Sequence, residues 1–206
     1  MCRDCARRLV RRPEPVCPRC GAPVFANGSK CTNDHRPIRG ILLVRAPFAY
    51  RGTGGELVRR AKFNGDRAAL KFLALEMADS LAAWARGPGR RAVLVSVPLH
   101  RRKLRERGLD QAAMLADEIA RRLGLSSVPG ALRRVRETLP QGDVRVTSRA
   151  VNVQDAFAAR RSRRLDGRTA VLVDDVRTSG STALECARVL RLAGVTQIVL
   201  VTAAQA

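Results

Sequence analysis

At 206 residues, with 46% hydrophobic and 28% charged side chains, the chain has room for one ordinary core and a small appendage, and it holds no apolar run of about 18 residues that could span a bilayer. Lys and Arg number 39 against 18 Asp and Glu, and the resulting net charge of +21 favours anionic partners, nucleic acid or phosphorylated metabolites, over acidic-surface binders. Aromatic residues make up 3%, too few for a base-stacking platform, so any contact with single-stranded DNA is expected to follow the backbone and to weaken with salt. Nearly all the basic residues are Arg, a skew that GC-rich coding also produces, but coding bias does not account for the shortfall of acids. The N-terminus lacks the apolar stretch of a secretory signal, and a cytoplasmic protein is expected.

In chain order the cysteines come first. Five of the six fall within the first 31 residues, as Cys2-x-x-Cys5, Cys17-x-x-Cys20-Gly21 and Cys31 ahead of Asp34-His35. In a chain of this kind clustered cysteines point to metal before disulfides. The two Cys-x-x-Cys pairs, 11 residues apart, can set four thiolates around one structural Zn²⁺, which makes Cys2, Cys5, Cys17 and Cys20 the expected ligands. Cys17, Cys20 and Cys31 with Asp34 or His35 form the rival set. The segment has no periodicity from which to build a core, so the expected division is a cysteine-rich zinc-binding module over residues 1–36 and a main domain over 37–206.

From Ile41 the pattern turns extended, through Val44 and again over Phe48 to Tyr50. Helical spacing predicts helices over Gly54 to Phe63 and Ala68 to Arg86, separated by Asn64-Gly65-Asp66 and ended by Gly87-Pro88-Gly89. Ala92 to Val97 reads as a buried parallel strand that stops at Pro98. The basic segment Leu99 to Arg107 reads as a loop leading into a helix over Gln111 to Leu123. Residues 126–160, broken by Pro129, Gly130, Pro140 and Gly142, read as a long Arg-rich loop, a length usually tied to function. A strand over Ala170 to Val173, a helix over Ser181 to Leu192 and a strand over Gln197 to Thr202 complete an alternation that implies an α/β fold with a parallel sheet. Cys186, at helical spacing with Leu190, is expected to be a buried apolar filler.

The segment from Val171 to Thr182 carries the chemistry. An apolar strand runs into Asp174 and Asp175, then Val176 and Arg177, then Thr178-Ser179-Gly180-Ser181-Thr182 opening a helix. A helix N-terminus gathers backbone N–H groups without acceptors, and hydroxyls add donors, so a phosphate monoester suits the loop. Carboxylates just before such a cradle suit ribose hydroxyls. The bland alternative is a strand end with solvated Asp and Ser/Thr caps. The run His100-Arg101-Arg102-Lys103-Leu104-Arg105-Glu106-Arg107 is either a solvated basic loop or a site that neutralises pyrophosphate directly or through Mg²⁺.

At these residues the chain resembles the type I phosphoribosyltransferases, and more narrowly the ComF family of competence-associated proteins. The resemblance extends through Lys62-Phe63-Asn64-Gly65-Asp66, Val97-Pro98-Leu99-His100, Arg105 to Gln111, Leu132 to Thr138, Gln141, Arg149, Asn152 and Asp155-Ala156-Phe157, and through the cysteine-rich N-terminus. It implies a type I phosphoribosyltransferase fold, a parallel sheet flanked by helices, behind a small N-terminal zinc ribbon. By the same resemblance Asp174 and Asp175 hold the ribose of 5-phosphoribosyl-1-pyrophosphate and Thr178, Ser179, Gly180, Ser181 and Thr182 hold its 5-phosphate. Leu99, His100, Arg101 and Arg102 hold pyrophosphate, with Arg105 and Gln111 in the same ligand-binding stretch. Residues 133–149 form the hood over the substrate, with Gln141 or Arg149 reaching inward. Two departures stand out: Leu109-Asp110 where Phe-Asn is usual, and Thr-Ser-Gly-Ser where Thr-Thr-Gly-Ala is commoner.

Two functions of different class follow from the resemblance. One is a phosphoribosyltransferase acting with Mg²⁺, in which a nitrogen nucleophile attacks C1 of the pyrophosphorylated ribose, linked to DNA uptake or nucleotide metabolism. The other is a non-catalytic module on the same fold that senses the sugar phosphate or binds single-stranded DNA, with a protein of the competence machinery as partner.

Overall fold

In the computed structural model, which describes residues 9–12, 16–22, 24, 31, 40–138 and 149–206, the strands are Leu43–Arg45 (β1), Phe48–Ala49 (β2), Val93–Ser96 (β3), Ser126–Ser127 (β4), Leu132–Arg134 (β5), Phe157–Ala159 (β6), Thr169–Arg177 (β7) and Gln197–Gln205 (β8). The helices are Gly52–Phe63 (α1), Arg67–Arg86 (α2), Arg101–Arg107 (α3), Gln111–Leu123 (α4), Arg149–Val153 (α5) and Ser181–Leu192 (α6). The main sheet has the order β1-β8-β7-β3-β4, with β2 also on β8, and every pairing in it is parallel. The expected α/β architecture is therefore present.

β7 and β8 are apolar on both faces because successive side chains point to opposite sides and helices cover both. Val171, Val173, Val199 and Val201 pack with Leu94 against Leu57 of α1, Leu73, Met77 and Leu81 of α2, and Leu115 and Ile119 of α4. Leu172, Ile198 and Leu200 pack with Val93 and Val95 against Cys186 and Leu190 of α6, and against Leu165. Cys186 is a wholly buried filler, as expected.

Three segments differ from the sequence reading. Arg101 to Arg107 is a helix rather than a loop, capped at its C-terminus by Gly108 in the left-handed region at φ 70°. Arg, Lys, Leu and Glu are good helix formers, and Arg102 bonds Glu106 one turn on, at 3.0 Å; the density of positive charge hides this propensity. Residues 126–160 are partly structured: β4 joins the sheet edge, and β5 pairs antiparallel with β6 as a separate ribbon. Asp155, at φ 53°, turns the chain into β6, and Glu185 of α6 holds that turn by accepting the Asp155 N–H at 2.9 Å while Arg188 bonds the Asp155 carboxylate at 2.7 Å. Third, β7 does not stop at Val173, because the small residues Ala203 and Ala204 let β8 stay in register, with Asp174 opposite Thr202 and Val176 opposite Ala204.

The described part of the N-terminal segment lies on this framework. Cys17 donates to the Ala22 carbonyl at 2.7 Å and Gly21 to the Cys17 carbonyl at 2.8 Å, closing a tight turn whose Pro18 carbonyl accepts from Val44 of β1 at 2.7 Å. Gly21 sits at φ 68°, and a Cβ there would come within 3.2 Å of Val44 Cγ1, so the turn needs glycine twice over. Arg11 forms a two-pronged ion pair with Glu76 of α2. Among the described residues no helix is long and apolar enough to cross a membrane.

Leu200 is fully buried in β8, between β1 and β7, so Leu200→Ala should cost about 3 to 4 kcal/mol through reduced burial and an unfilled cavity. Chemical denaturation will show this as a lower midpoint at unchanged slope; a change of a few tenths of a kcal/mol would contradict the packing described.

Candidate functional site

The carboxyl ends of β3 and β7 open into a cavity of about 510 Å³, at the sheet edge where α/β folds place ligands. Its wall includes the acids Asp174 and Asp175, the loop residues Thr178, Gly180, Ser181 and Thr182, and the cations Lys62, Lys103, Arg107 and Arg134.

Asp174 and Asp175 are held by their own strand. Asp174 Oδ1 accepts the Asp175 N–H at 2.8 Å and Asp175 Oδ1 accepts the Val176 N–H at 2.7 Å. Lys62, from the end of α1, pairs with Asp175 Oδ2 at 2.6 Å. Burial, and then the adjacent Asp175 charge, pushes Asp174 up to about 8, so at neutral pH this carboxyl tends to keep its proton. The cations are perturbed in the opposite sense. Burial, followed by repulsion from Arg134, Arg107 and Lys62, lowers the Lys103 ammonium, and burial lowers the Arg134 guanidinium. A cavity that crowds like charges in this way is disposed to take up an anion.

The loop after β7 ends at Gly180, in the left-handed region at φ 83°, and no acid stands in the first turn of α6. The N–H groups of a first helical turn have no intrahelical acceptor, which suits an anion there; the Ser181 N–H reaches the Ser179 hydroxyl at 3.4 Å. Ser179 and Ser181 hydroxyls lie 3.0 Å apart; Ser179 itself is exposed and is not part of the cavity wall.

Of the expected pyrophosphate residues, only Leu99 reaches the wall. Because Arg101 to Arg107 is helical, Lys103 and Arg107, one turn apart, face inward instead. Arg102 turns to Glu106 and Glu137, while His100, Arg101 and Arg105 stand off the wall. A helical reading of that run would have found Lys103 and Arg107. Gln111 lines the cavity, yet its side-chain amide donates to the Lys62 carbonyl at 2.8 Å, which makes it a pin for the end of α1. Asp110 is a helix cap: its carboxylate accepts the Ala113 N–H at 3.0 Å, a role the usual Asn fills equally well. Arg134, its guanidinium 5.3 Å from the Phe157 ring centre and bonded to Thr138, lines the cavity together with Thr138 among the described residues of 133–149. The expectation for Gln141 lies outside the described residues, as does any statement on the Arg149 side chain.

A second cluster sits beside the sheet. The sulfur atoms of Cys17, Cys20 and Cys31 all lie within 4.8 Å of one another, with Cys20 and Cys31 3.3 Å apart, a grouping that could bind a metal ion. Cys2 and Cys5, the other expected ligands, fall outside the described residues, as do Asp34 and His35. Among the described residues Cys31, from the rival set, is the thiol the structure brings to Cys17 and Cys20.

Comparison with known proteins agrees with this geometry. Residues 109–206 match the phosphoribosyl transferase domain. The chain is 30% identical to the DNA utilization protein YhgH of Escherichia coli, over 92% of this chain and 83% of that one. It is 27% identical to competence protein F of Haemophilus influenzae, covering 96% and 87% of the two, and 27% identical to competence protein ComFC of Bacillus subtilis, covering 92% and 77%. The chain belongs to the ComF family of competence-related proteins, built on a type I phosphoribosyltransferase domain.

Proposed function

We propose that the cavity binds 5-phosphoribosyl-1-pyrophosphate with Mg²⁺. The observation that carries this is the meeting, in one cavity, of an acid pair, a helix N-terminus without acids and a cluster of partly desolvated cations. Asp174 and Asp175 accept from the ribose hydroxyls, Thr178 to Thr182 wrap the 5-phosphate, and Lys103, Arg107 and Arg134 take the pyrophosphate beside Leu99. Mg²⁺, bound with the ligand, neutralises the leaving pyrophosphate. A nitrogen nucleophile attacking C1 would complete a transferase reaction, and a link to DNA uptake or nucleotide metabolism fits a chain whose relatives are named for competence or DNA utilization. Cys17, Cys20 and Cys31 hold a structural Zn²⁺, with a fourth ligand from Cys2, Cys5, Asp34 or His35, in a module over residues 1–36 ahead of the main domain.

Removing one charged acceptor of a bound ligand costs about 1.5 to 3 kcal/mol, so Asp175→Ala should weaken binding at least about tenfold. Titration calorimetry with the ligand and Mg²⁺ will read this, and equal affinity in wild type and variant would remove the assignment.

Asp174 also predicts a pH dependence of the ligand-free protein. Its folded value of about 8 lies above the ordinary 3.8, so the native state holds a proton that the unfolded chain releases. The stability this contributes is complete below 3.8 and is lost as pH rises through about 8. Denaturation midpoints of wild type should therefore fall across that window relative to Asp174→Asn, and parallel profiles would show that Asp174 is ionised throughout.

A second reading, contact with single-stranded DNA, is favoured by the exposed run Arg160, Arg161, Arg163 and Arg164 after β6. Charge reversal of these residues should reduce the log-log salt slope of DNA binding by about 0.7 for each phosphate no longer neutralised, while sugar-phosphate affinity stays the same. Binding that is flat with salt would show the basic surplus to be compositional.

A further inference from the structure

Arg177 ends β7, two residues beyond Asp175, and its 7% exposed side chain runs from the cavity wall to the cysteine cluster, where its guanidinium donates to the Cys20 carbonyl at 2.8 Å. A second guanidinium, that of half-buried Arg12, lies near enough for the two charges to repel. Among the described residues neither has a carboxylate partner, and the Nε atom of each is buried without an acceptor. Two desolvated cations side by side are costly unless an anion is supplied. Zn²⁺ with three thiolates carries net −1 and with four net −2, so a loaded cysteine cluster is such an anion.

We infer that the metal-loaded cysteine centre is the counter-ion of Arg12 and Arg177, and that through Arg177 it positions the end of β7 that carries the acid pair, so that metal loading and sugar-phosphate affinity are coupled. Arg177 acts here as a positioning residue. This rests on the proposed binding of 5-phosphoribosyl-1-pyrophosphate for its second half only; the counter-ion half concerns the metal alone. The route is short and covalent in part: Cys20 supplies a metal ligand and the carbonyl, Arg177 bridges 157 residues of sequence to reach it, and the same strand carries Asp174 and Asp175. Coupling of this kind is reciprocal, so the ligand must raise metal affinity by the factor that metal raises ligand affinity.

The test uses the full chain in two arms. In the first, Zn²⁺ affinity is measured by competition with a chromophoric chelator, and Co²⁺ spectra report thiolate coordination, in wild type, Arg177→Met and Arg177→Lys. Arg177→Met should bind metal about tenfold more weakly, a middling coupling, and Arg177→Lys should recover most of the loss because it keeps the charge. Equal metal affinity in wild type and Arg177→Met, or no recovery with Lys, overturns the counter-ion role. In the second arm, ligand affinity is measured by calorimetry with and without Zn²⁺. Wild type should lose about tenfold on metal removal and Arg177→Met should be insensitive to it, again the coupling expected of two linked sites. Ligand binding that ignores metal in wild type overturns the positioning role while leaving the proposed function intact. No ligand binding by the Zn²⁺-loaded wild type sinks the proposed function and with it the positioning half, and the first arm still decides the counter-ion half.

Discussion

The pairing of β7 with β8 continues past the last β-branched residue of the apolar run, and the site depends on this extension. A strand that stopped at Val173 would leave Asp174 and Asp175 in a loop, free to solvate and to move. Held in register against Thr202 and the small residues after it, both carboxylates have fixed backbones, and each accepts the next N–H along its own strand. The cost is electrostatic, since two acids are brought together where one of them is desolvated. Lys62 offsets the charge on one carboxylate, and burial beside Asp175 raises the pKa of the other.

The cations around the cavity follow the same logic with opposite sign. Lys103 and Arg107 come from one face of a seven-residue helix, Lys62 from the end of another, Arg134 from the antiparallel ribbon. None of these elements meets the acid strand by sequence proximity. They converge because Gln111 fastens the end of α1 to α4 and because Arg134 rests on Phe157. A dense positive wall is tolerable in a folded protein where it faces an open cavity, and it sets the charge of whatever fills that cavity.

Much of this was legible in the amino-acid sequence, for identifiable reasons. Ala170 to Val173 and Gln197 to Thr202 read as buried strands because their apolar runs are unbroken, and Ser181 to Leu192 read as a helix because of its spacing. The loop from Thr178 to Thr182 stood out through glycine and hydroxyl residues at a strand-to-helix junction. What failed to show was geometry that depends on tertiary partners. The length of β7 is set by how far β8 stays small enough to accompany it. The inward face of α3 was hidden because a run of charges reads as solvated loop, and the choice between Arg102 and Lys103 turns on helical phase alone. Gln111 sits where a ligand residue was expected, but its amide bonds the Lys62 carbonyl. The meeting of Cys31 with Cys17 and Cys20 could be named only as one of two options, since spacing does not distinguish them.

The clasp between Asp155 and α6 links two parts of the cavity that are far apart in the chain. Glu185 and Arg188 fix the turn before β6, and so the ribbon that presents Arg134, to the middle of the helix whose first turn borders the cavity. Helix terminus and ribbon are thus mounted on one rod and share its orientation. In a chimera that borrowed the ribbon from a relative, Arg134 would meet the cavity at the native angle only if the clasp residues on α6 were transplanted with it.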